Sequence, residues 1–181
     1  MKSLHKIILL LISISAILIY CYPASAIPPP PEISSSTHPD ENTWYSDNDP
    51  TFEWTTPPDP TGIAGYSYVL DGSPSTTPDE TVDTTGNSTS YLDVADGTHW
   101  FHVRAQNNNG SWSLPDHYKV LIDVTPPSAP VVSSSTHPDE SVWYSDNDPV
   151  FEWTTPSDVS GIVGYSYVLD GSPSTIPDTS V

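Results

Sequence analysis

An internal repeat constrains this chain more than any other feature of its sequence. Residues 34–79 align with residues 133–178 without a gap, and the heptad WYSDNDP occurs letter for letter at 44–50 and at 143–149. The period is 99 residues, and a unit of about 100 residues can bury a core of its own. The sequence therefore predicts tandem modules of one fold.

The second copy contains less of the period than the first. Val181 aligns with Val82, so nothing in the second copy matches residues 83–124. Because a sandwich without its second half cannot close its core, we expect the sequence to be part of a longer reading frame. The predicted organisation is a signal peptide at 1–26, a proline-rich linker at 27–32, a complete module at 33–125, a second proline-rich linker at 126–130 and an incomplete module at 131–181.

The N-terminus has the pattern of a secretory signal peptide. Lys2 and Lys6 precede an apolar run at 7–19, and the small residues Ala24, Ser25 and Ala26 follow it. The run is shorter than the roughly 20 apolar residues of a spanning helix. We expect cleavage after Ala26 and a secreted or cell-surface location. The alternatives are a retained anchor and a lipoprotein cysteine at Cys21.

Cleavage at this point leaves a strongly acidic chain without cysteine. Cys21 is the only cysteine, so no disulfide is expected, and Arg104 and Lys119 remain as the only basic residues against 23 acidic ones. The resulting formal charge of −21 argues against nucleic acid as a partner, because binding to phosphate backbones depends on lysine and arginine. No transmembrane span is expected after the signal is removed.

Short alternating runs predict an all-β module of about seven strands. They are rich in aromatic and β-branched residues and lie between clusters of Pro, Gly, Asn and Asp. In the run Thr51–Thr55, Phe52 and Trp54 are expected to point inward and Glu53 outward. The predicted strands are 33–36, 51–55, 63–70, 81–84, 90–94, 98–105 and 117–123. This number and spacing is typical of an immunoglobulin-like β-sandwich.

Three segments resemble fibronectin type III and bacterial or archaeal immunoglobulin-like repeats of secreted and surface proteins. The first runs from Trp54 through Gly62 to Tyr68, the second is DGTHWFHVRA at 96–105, and the third is the bridge DVTPP at 123–127. The resemblance covers residues 33–125 and the first half of the next copy. It implies a sandwich fold, and it leaves function open because such modules have many unrelated roles.

The repeated heptad allows two interpretations. Asp47 and Asp49 alternate with Asn48, and oxygen ligands of this kind suit calcium. The candidate calcium ligands in the two copies are Asp47, Asn48, Asp49, Asp146, Asn147 and Asp148. In the other interpretation these side chains cap backbone amides in a turn before the strand that begins near Pro50.

The loops at one end of the sandwich are the candidate ligand site. In immunoglobulin-like folds the second-to-third and sixth-to-seventh strand loops lie together, and here they contain Asp59, Asn108 and Trp112. These residue types suit a carbohydrate, which stacks on an aromatic ring and bonds to amides and carboxylates. The alternative is that Trp112 packs under its own loop.

The remaining motifs predict modification and exclude common catalytic sites. Two sequons at Asn87 and Asn109 suit glycosylation of a secreted protein. The histidines are assigned no metal, and no nucleophile elbow, zinc-protease motif or phosphate-binding glycine loop occurs. We therefore expect a non-catalytic structural or adhesion module whose partners are cell-surface proteins or glycans. The alternative is a carbohydrate-binding or accessory module of an extracellular enzyme encoded downstream.

Overall fold

The protein is all-β throughout the part of the chain that the structure, a computed structural model, describes. That part is residues 27–179, so the predicted signal peptide lies outside it. Between residues 27 and 179 there is no helix, and so none that is capable of crossing a bilayer. The strands are β1 Ile33–Ser35, β2 Trp44–Tyr45, β3 Thr51–Trp54, β4 Ile63–Asp71, β5 Ser88–Ser90, β6 Gly97–Asn107, β7 Asp116–Ile122, β8 Val132–Ser134 and β9 Phe151–Trp153.

The first seven strands form two sheets that pack face to face. One sheet has the order β1-β3-β5 and the other has the order β2-β7-β6-β4. Every pairing in them is antiparallel except that of β2 with β7, which is parallel. Strands β8 and β9 form a separate antiparallel pair in the second copy.

Period-two alternation places the core between these sheets. Phe52 and Trp54 on β3 are buried, whereas Thr51 and Glu53, which alternate with them, are only partly buried. Phe52 stacks on Phe101 of the opposite sheet, with ring centroids 4.3 Å apart. The buried hydrophobic residues are Phe52, Trp54, Tyr66, Phe101, Val103, Ala105, Tyr118, Val120 and Ile122. Since burying each large apolar side chain stabilises by about 1.5–3 kcal/mol, this cluster is the main favourable contribution to folding.

The structure corrects the strand expectations at three places. The fifth strand lies at Ser88–Ser90 rather than at 90–94, because it pairs with β3 through Thr89 opposite Phe52. The expected strand at 81–84 is reduced to one bridge between Thr84 and Tyr66. Strand β2 was not expected, because a two-residue strand has no alternation that a sequence pattern can reveal.

The proline-rich segment before β1 packs onto the first module. Pro28 and Pro31 are fully buried there, and the backbone of Glu32 bonds to Thr55 in both directions. Their counterparts Pro127 and Pro130 are exposed. Equivalent prolines are thus buried in the first copy and exposed in the second.

The second copy keeps only the strands whose partners lie close in sequence. Strands β8 and β9 pair as β1 and β3 do. The segments equivalent to β2 and β4, at 143–144 and 162–170, are not strands, and in the first copy those strands pair with β7 and β6. Trp143 is consequently 99% exposed.

Candidate functional site

The acidic side chains of the heptad are bonded to backbone amides. Asp47 Oδ1 accepts from the amide of Asp49 at 3.0 Å, and Asp49 Oδ1 accepts from the amide of Asp93 at 2.9 Å. The carbonyl of Asn48 accepts from the amide of Val94. The local bond recurs in the second copy, from Asp148 to Asp146. This is the capping arrangement that the turn interpretation predicts.

His38 holds this turn against the module, a role that sequence reasoning missed. Its side chain is fully buried, with Nε2 2.8 Å from the carbonyl oxygen of Asp47 and Nδ1 2.8 Å from Oγ1 of Thr37. The backbone carbonyl of His38 in turn accepts from the hydroxyl of Tyr118 on β7. The signal in the sequence is the Thr-His-Pro triplet, which precedes the heptad by the same interval in both copies.

The heptad shows no arrangement suited to a metal ion. Within residues 27–179, no group of three or more histidine, cysteine, aspartate or glutamate side chains is placed to hold one. One carboxylate oxygen of each aspartate, Oδ1 of Asp47 and Oδ1 of Asp49, accepts a hydrogen bond from the amide of Asp49 and of Asp93, respectively. The calcium interpretation therefore gains no support from the geometry.

We expect calcium to leave the thermal stability of the chain unchanged. A native-state ligand present at 100 times its dissociation constant stabilises by about 2.7 kcal/mol, and extracellular calcium sites have dissociation constants of about 0.1–1 mM. The measurement is thermal melting in about 10 mM calcium and in chelator, with magnesium at equal concentration as the control for general screening of the acidic surface. A rise specific to calcium would contradict the expectation.

The two loops predicted to form a ligand site do lie together. The amide of Asn108 bonds to the carbonyl of Gly62, and its side chain donates to the carbonyl of Thr61 at 2.6 Å. Asp59 accepts from Asn107 Nδ2 at 3.1 Å and from the hydroxyl of Thr61 at 2.6 Å. The bonds from Thr61 first, and then from Asn107, hold the pKa of Asp59 below its ordinary value. The polar side chains of these two loops therefore form hydrogen bonds with groups of the loops themselves.

Trp112 makes its contact elsewhere. The guanidinium carbon of Arg104 lies 4.7 Å from the centre of the Trp112 ring, a cation–π arrangement on the outer face of β6. Trp112 is half-buried and Arg104 is buried. The tryptophan therefore covers its own sheet, whereas Asp59 and Asn108 bond within the neighbouring loops.

The two sequons differ in the engagement of their asparagine side chains. Nδ2 of Asn87 donates to the carbonyl of Trp54 and to the hydroxyl oxygens of Thr56 and Tyr66. A glycan on that nitrogen would remove one of its two hydrogens. Asn109 lies exposed in the loop between β6 and β7, so it suits glycosylation better.

A histidine pair that the sequence did not reveal lies on the outer face of the larger sheet. His102 on β6 is fully buried and stands directly opposite His117 on β7, with Nδ1 facing Nδ1. Nε2 of His102 faces two acceptors, Oδ1 of Asp71 at 3.3 Å and the carbonyl oxygen of Ser73 at 3.0 Å. When the His102 ring is neutral, these acceptors make Nε2 the donor and Nδ1 the acceptor, and His117 then donates to Nδ1.

We expect the stability of the chain to fall as the pH drops below 6.5. Burial first, and then the neighbouring His102, lowers the pKa of His117 from its ordinary 6.5, although Asp116 opposes this. Between the folded pKa of His117 and 6.5 the unfolded chain binds more protons than the folded chain. The contribution of His117 to the stability is therefore fully present above pH 6.5 and is lost as the pH falls through this window. Urea unfolding at about pH 7.5 and about pH 5.5 measures the effect.

The matched variants are His117→Gln and His99→Gln. His117→Gln should reduce the difference in unfolding free energy between the two pH values, because the titrating group is gone. His99→Gln should keep that difference, since His99 contacts only the carbonyl of Ala95 in the described contacts. An equal pH dependence in all three chains would show that His117 is not responsible.

No protein-family model matches this sequence, and no curated protein matches it either.

Proposed function

We propose that this chain is a non-catalytic structural and adhesion module of a secreted or cell-surface protein, in which each repeat acts as a spacer and interaction surface. The strand order supports an immunoglobulin-like or fibronectin type III-like sandwich for residues 33–125. Strands β1, β3 and β5 form one sheet and β4, β6 and β7 lie in the other, which is the division of strands in that fold class.

One observation carries the spacer role: the chain enters and leaves the module at opposite ends. The amide of Ile33 bonds to Asp116 Oδ2, at the start of β7. The amide of Asp123, just beyond the end of β7, bonds to the carbonyl of Tyr45. The seven residues of β7 rise by about 23 Å, so each repeat adds length along the direction of the chain.

The bonds between the N-terminal segment and β7 suit a module that carries tension. Besides the two end contacts, the hydroxyl of Tyr118 bonds to His38 and the amide of Lys119 bonds to Glu41 Oε2 at 2.9 Å. Because β2 runs parallel to β7, pulling the two ends apart shears these bonds together rather than opening them one by one.

The composition supports display outside the cell. The acidic surface opposes self-association of neighbouring modules, and the exposed prolines at 126, 127 and 130 favour an extended connection to the next repeat. The partners proposed for such a surface are cell-surface proteins or glycans.

Single-molecule stretching of the expected mature chain, residues 27–181, tests the spacer role. We expect one force peak followed by a gain of roughly 300 Å for residues 33–125. Tyr118→Phe should lower the peak force without changing the gain, because it removes one bond to the N-terminal segment. Extension without a peak would contradict a load-bearing role.

The alternative is a carbohydrate-binding accessory module, and it is favoured by the exposure of Asn108 in the same β6–β7 loop as half-buried Trp112. A glycan array probed with residues 27–181 and with the Trp112→Ala variant separates the two functions. The spacer role predicts no glycan signal that depends on Trp112. Binding that is lost in the variant would support the accessory role.

A further inference from the structure

The end of β6 and the loop after it contain three consecutive asparagines, Asn107 to Asn109, followed by Gly110. Of the seven asparagines in the chain, Asn109 alone precedes a glycine. In such a pair the side-chain amide carbon lies close to the backbone nitrogen of the next residue, because a bond between the two atoms closes a succinimide ring. Proximity of this kind replaces a bimolecular reaction by an intramolecular one.

The structure distinguishes Asn109 from the two asparagines before it. Asn107 is buried, and its Oδ1 accepts hydrogen bonds from the amides of Asn109 and Ser111. Asn108 donates through Nδ2 to the carbonyl of Thr61 at 2.6 Å. The side chain of Asn109 is exposed and forms no hydrogen bond with residues 27–179. Its amide group can therefore rotate towards the next residue.

Gly110 supplies a backbone nitrogen that no side chain crowds. Its φ is +83°, in the left-handed region that favours glycine, and nothing lies within 4 Å of the position that a Cβ atom would occupy. The loop therefore has room for the change of backbone and side-chain torsion angles that ring closure requires.

One hydrogen bond opposes this ring closure in the folded loop. The amide of Gly110 donates to the carbonyl of Asn107 at 2.9 Å, and the nitrogen cannot attack until this bond opens. Residues 108–110 are exposed, and opening a short exposed loop costs far less free energy than global unfolding. The turn should therefore slow the reaction without preventing it.

We propose that Asn109 is a site of spontaneous deamidation. The nitrogen of Gly110 loses its proton to a base in solution and forms a bond to Cγ of Asn109, while Nδ2 takes up a proton and leaves as ammonia. Water then opens the succinimide ring and returns a proton to the nitrogen. Attack of water at Cγ breaks the new bond and gives aspartate. Attack at the main-chain carbonyl carbon breaks the original peptide bond and gives isoaspartate.

Asn109 is also the sequon residue that suits glycosylation better, and the two modifications exclude each other. A glycan occupies Nδ2, whereas ring closure expels that nitrogen. Either product of deamidation adds a negative charge to the loop that contains Asn108. Isoaspartate also adds a carbon atom to the backbone between Asn107 and Ser111, which bond to each other across the turn. The proposal depends neither on the spacer role nor on carbohydrate binding.

Peptide mapping by mass spectrometry tests the proposal on residues 27–181, made in a host that adds no glycans and kept in mildly alkaline buffer. We expect Asn109 to be the first asparagine converted, with aspartate and isoaspartate both formed. Gly110→Ala should be converted several-fold more slowly, because a side chain then shields the attacking nitrogen. The control is Ser111→Ala, which removes the sequon, keeps the Asn-Gly pair and should leave the rate nearly unchanged.

The same measurement in guanidinium separates the chemistry from the fold. Unfolding should raise the rate of the unaltered chain several-fold, because the bond from Gly110 to Asn107 is then absent. Gly110→Ala should remain the slower chain there, where any effect of the substitution on folding plays no part.

Three results would overturn the proposal. The first is conversion of another asparagine before Asn109 in the folded chain. The second is an intact Asn109 in the folded chain over the period in which the unfolded chain is converted, because the turn then blocks the site completely. The third is an equal rate for Gly110→Ala and the unaltered chain in guanidinium, which would show that ring closure through the glycine nitrogen is not the route.

Discussion

Replacing Phe101 by alanine is expected to lower the free energy of unfolding by about 3–5 kcal/mol. Phe101 is fully buried on β6 and stacks on Phe52 of the opposite sheet. It also lies 5.8 Å from Trp54 and 5.9 Å from Tyr68. The substitution removes the ring that joins the two sheets and leaves a cavity, and urea unfolding of residues 27–181 measures the loss.

The size of this effect follows from the position of Phe101 between the two sheets rather than from its chemistry alone. Phe101 contacts Phe52 of the opposite sheet and Tyr68 of its own sheet, so its removal weakens packing within and between the sheets. The matched control is Leu92→Ala, since Leu92 is 74% exposed and should change the free energy by less than about 0.5 kcal/mol. A loss below about 1 kcal/mol for Phe101→Ala would contradict the closed core described above.

The second large effect is expected for His38→Ala, which should cost about 2–4 kcal/mol in residues 27–125. The substitution leaves the carbonyl oxygen of Asp47 and Oγ1 of Thr37 without their ring partner. It also removes the edge contact of the His38 ring with Tyr45, 4.6 Å away. These groups are held at the start of the module, so the turn into β3 loosens with them.

Residues 27–125 are used because they contain all seven strands of the first repeat and none of the second. The control is His99→Ala, which removes the same type of side chain where its one hydrogen bond among the described residues joins it to the carbonyl of Ala95, in an exposed setting. That loss should stay below about 1 kcal/mol. Equal losses for the two substitutions would show that the ring of His38 adds nothing beyond an ordinary surface contact. Thermal or urea unfolding of both variants provides the comparison.

The core of the first module was predictable because its residues follow local rules. Alternation placed Phe52 and Trp54 inward, and the structure confirms both. The all-β class also followed from the short runs between turn residues. The position of β5 did not, because three residues of Ser and Thr carry no apolar pattern, and only pairing with β3 defines them.

The candidate site was predictable only in part. The expected fold class predicted that the loops of Asp59 and Asn108 lie together. They do, because Asn108 bonds to the carbonyls of Gly62 and Thr61. It did not reveal that Trp112 would lie on Arg104, since that contact depends on which face of β6 the loop covers. The His102–His117 pair could not be predicted either, because the sequence of β6 or of β7 alone does not define the register in which the two strands pair.

The two copies separate what the sequence determines by itself from what the tertiary structure decides. The heptad turn, the ring of His38 or His137 on the following backbone, and the pairing of β1 with β3 or β8 with β9 occur in both copies. Their partners lie within the same short segment, so the local sequence is sufficient to form them.

The strand at 63–71, by contrast, does not form from its local sequence alone. Nearly the same letters at 162–170 form no strand, because β4 exists through its pairing with β6, which lies in residues 97–107. Trp44 and Trp143 differ in exposure for the same reason, since only Trp44 has β7 beside it. A strand needs a neighbour for its backbone groups and for its apolar face, and where that neighbour is distant in the chain, only the tertiary structure supplies it.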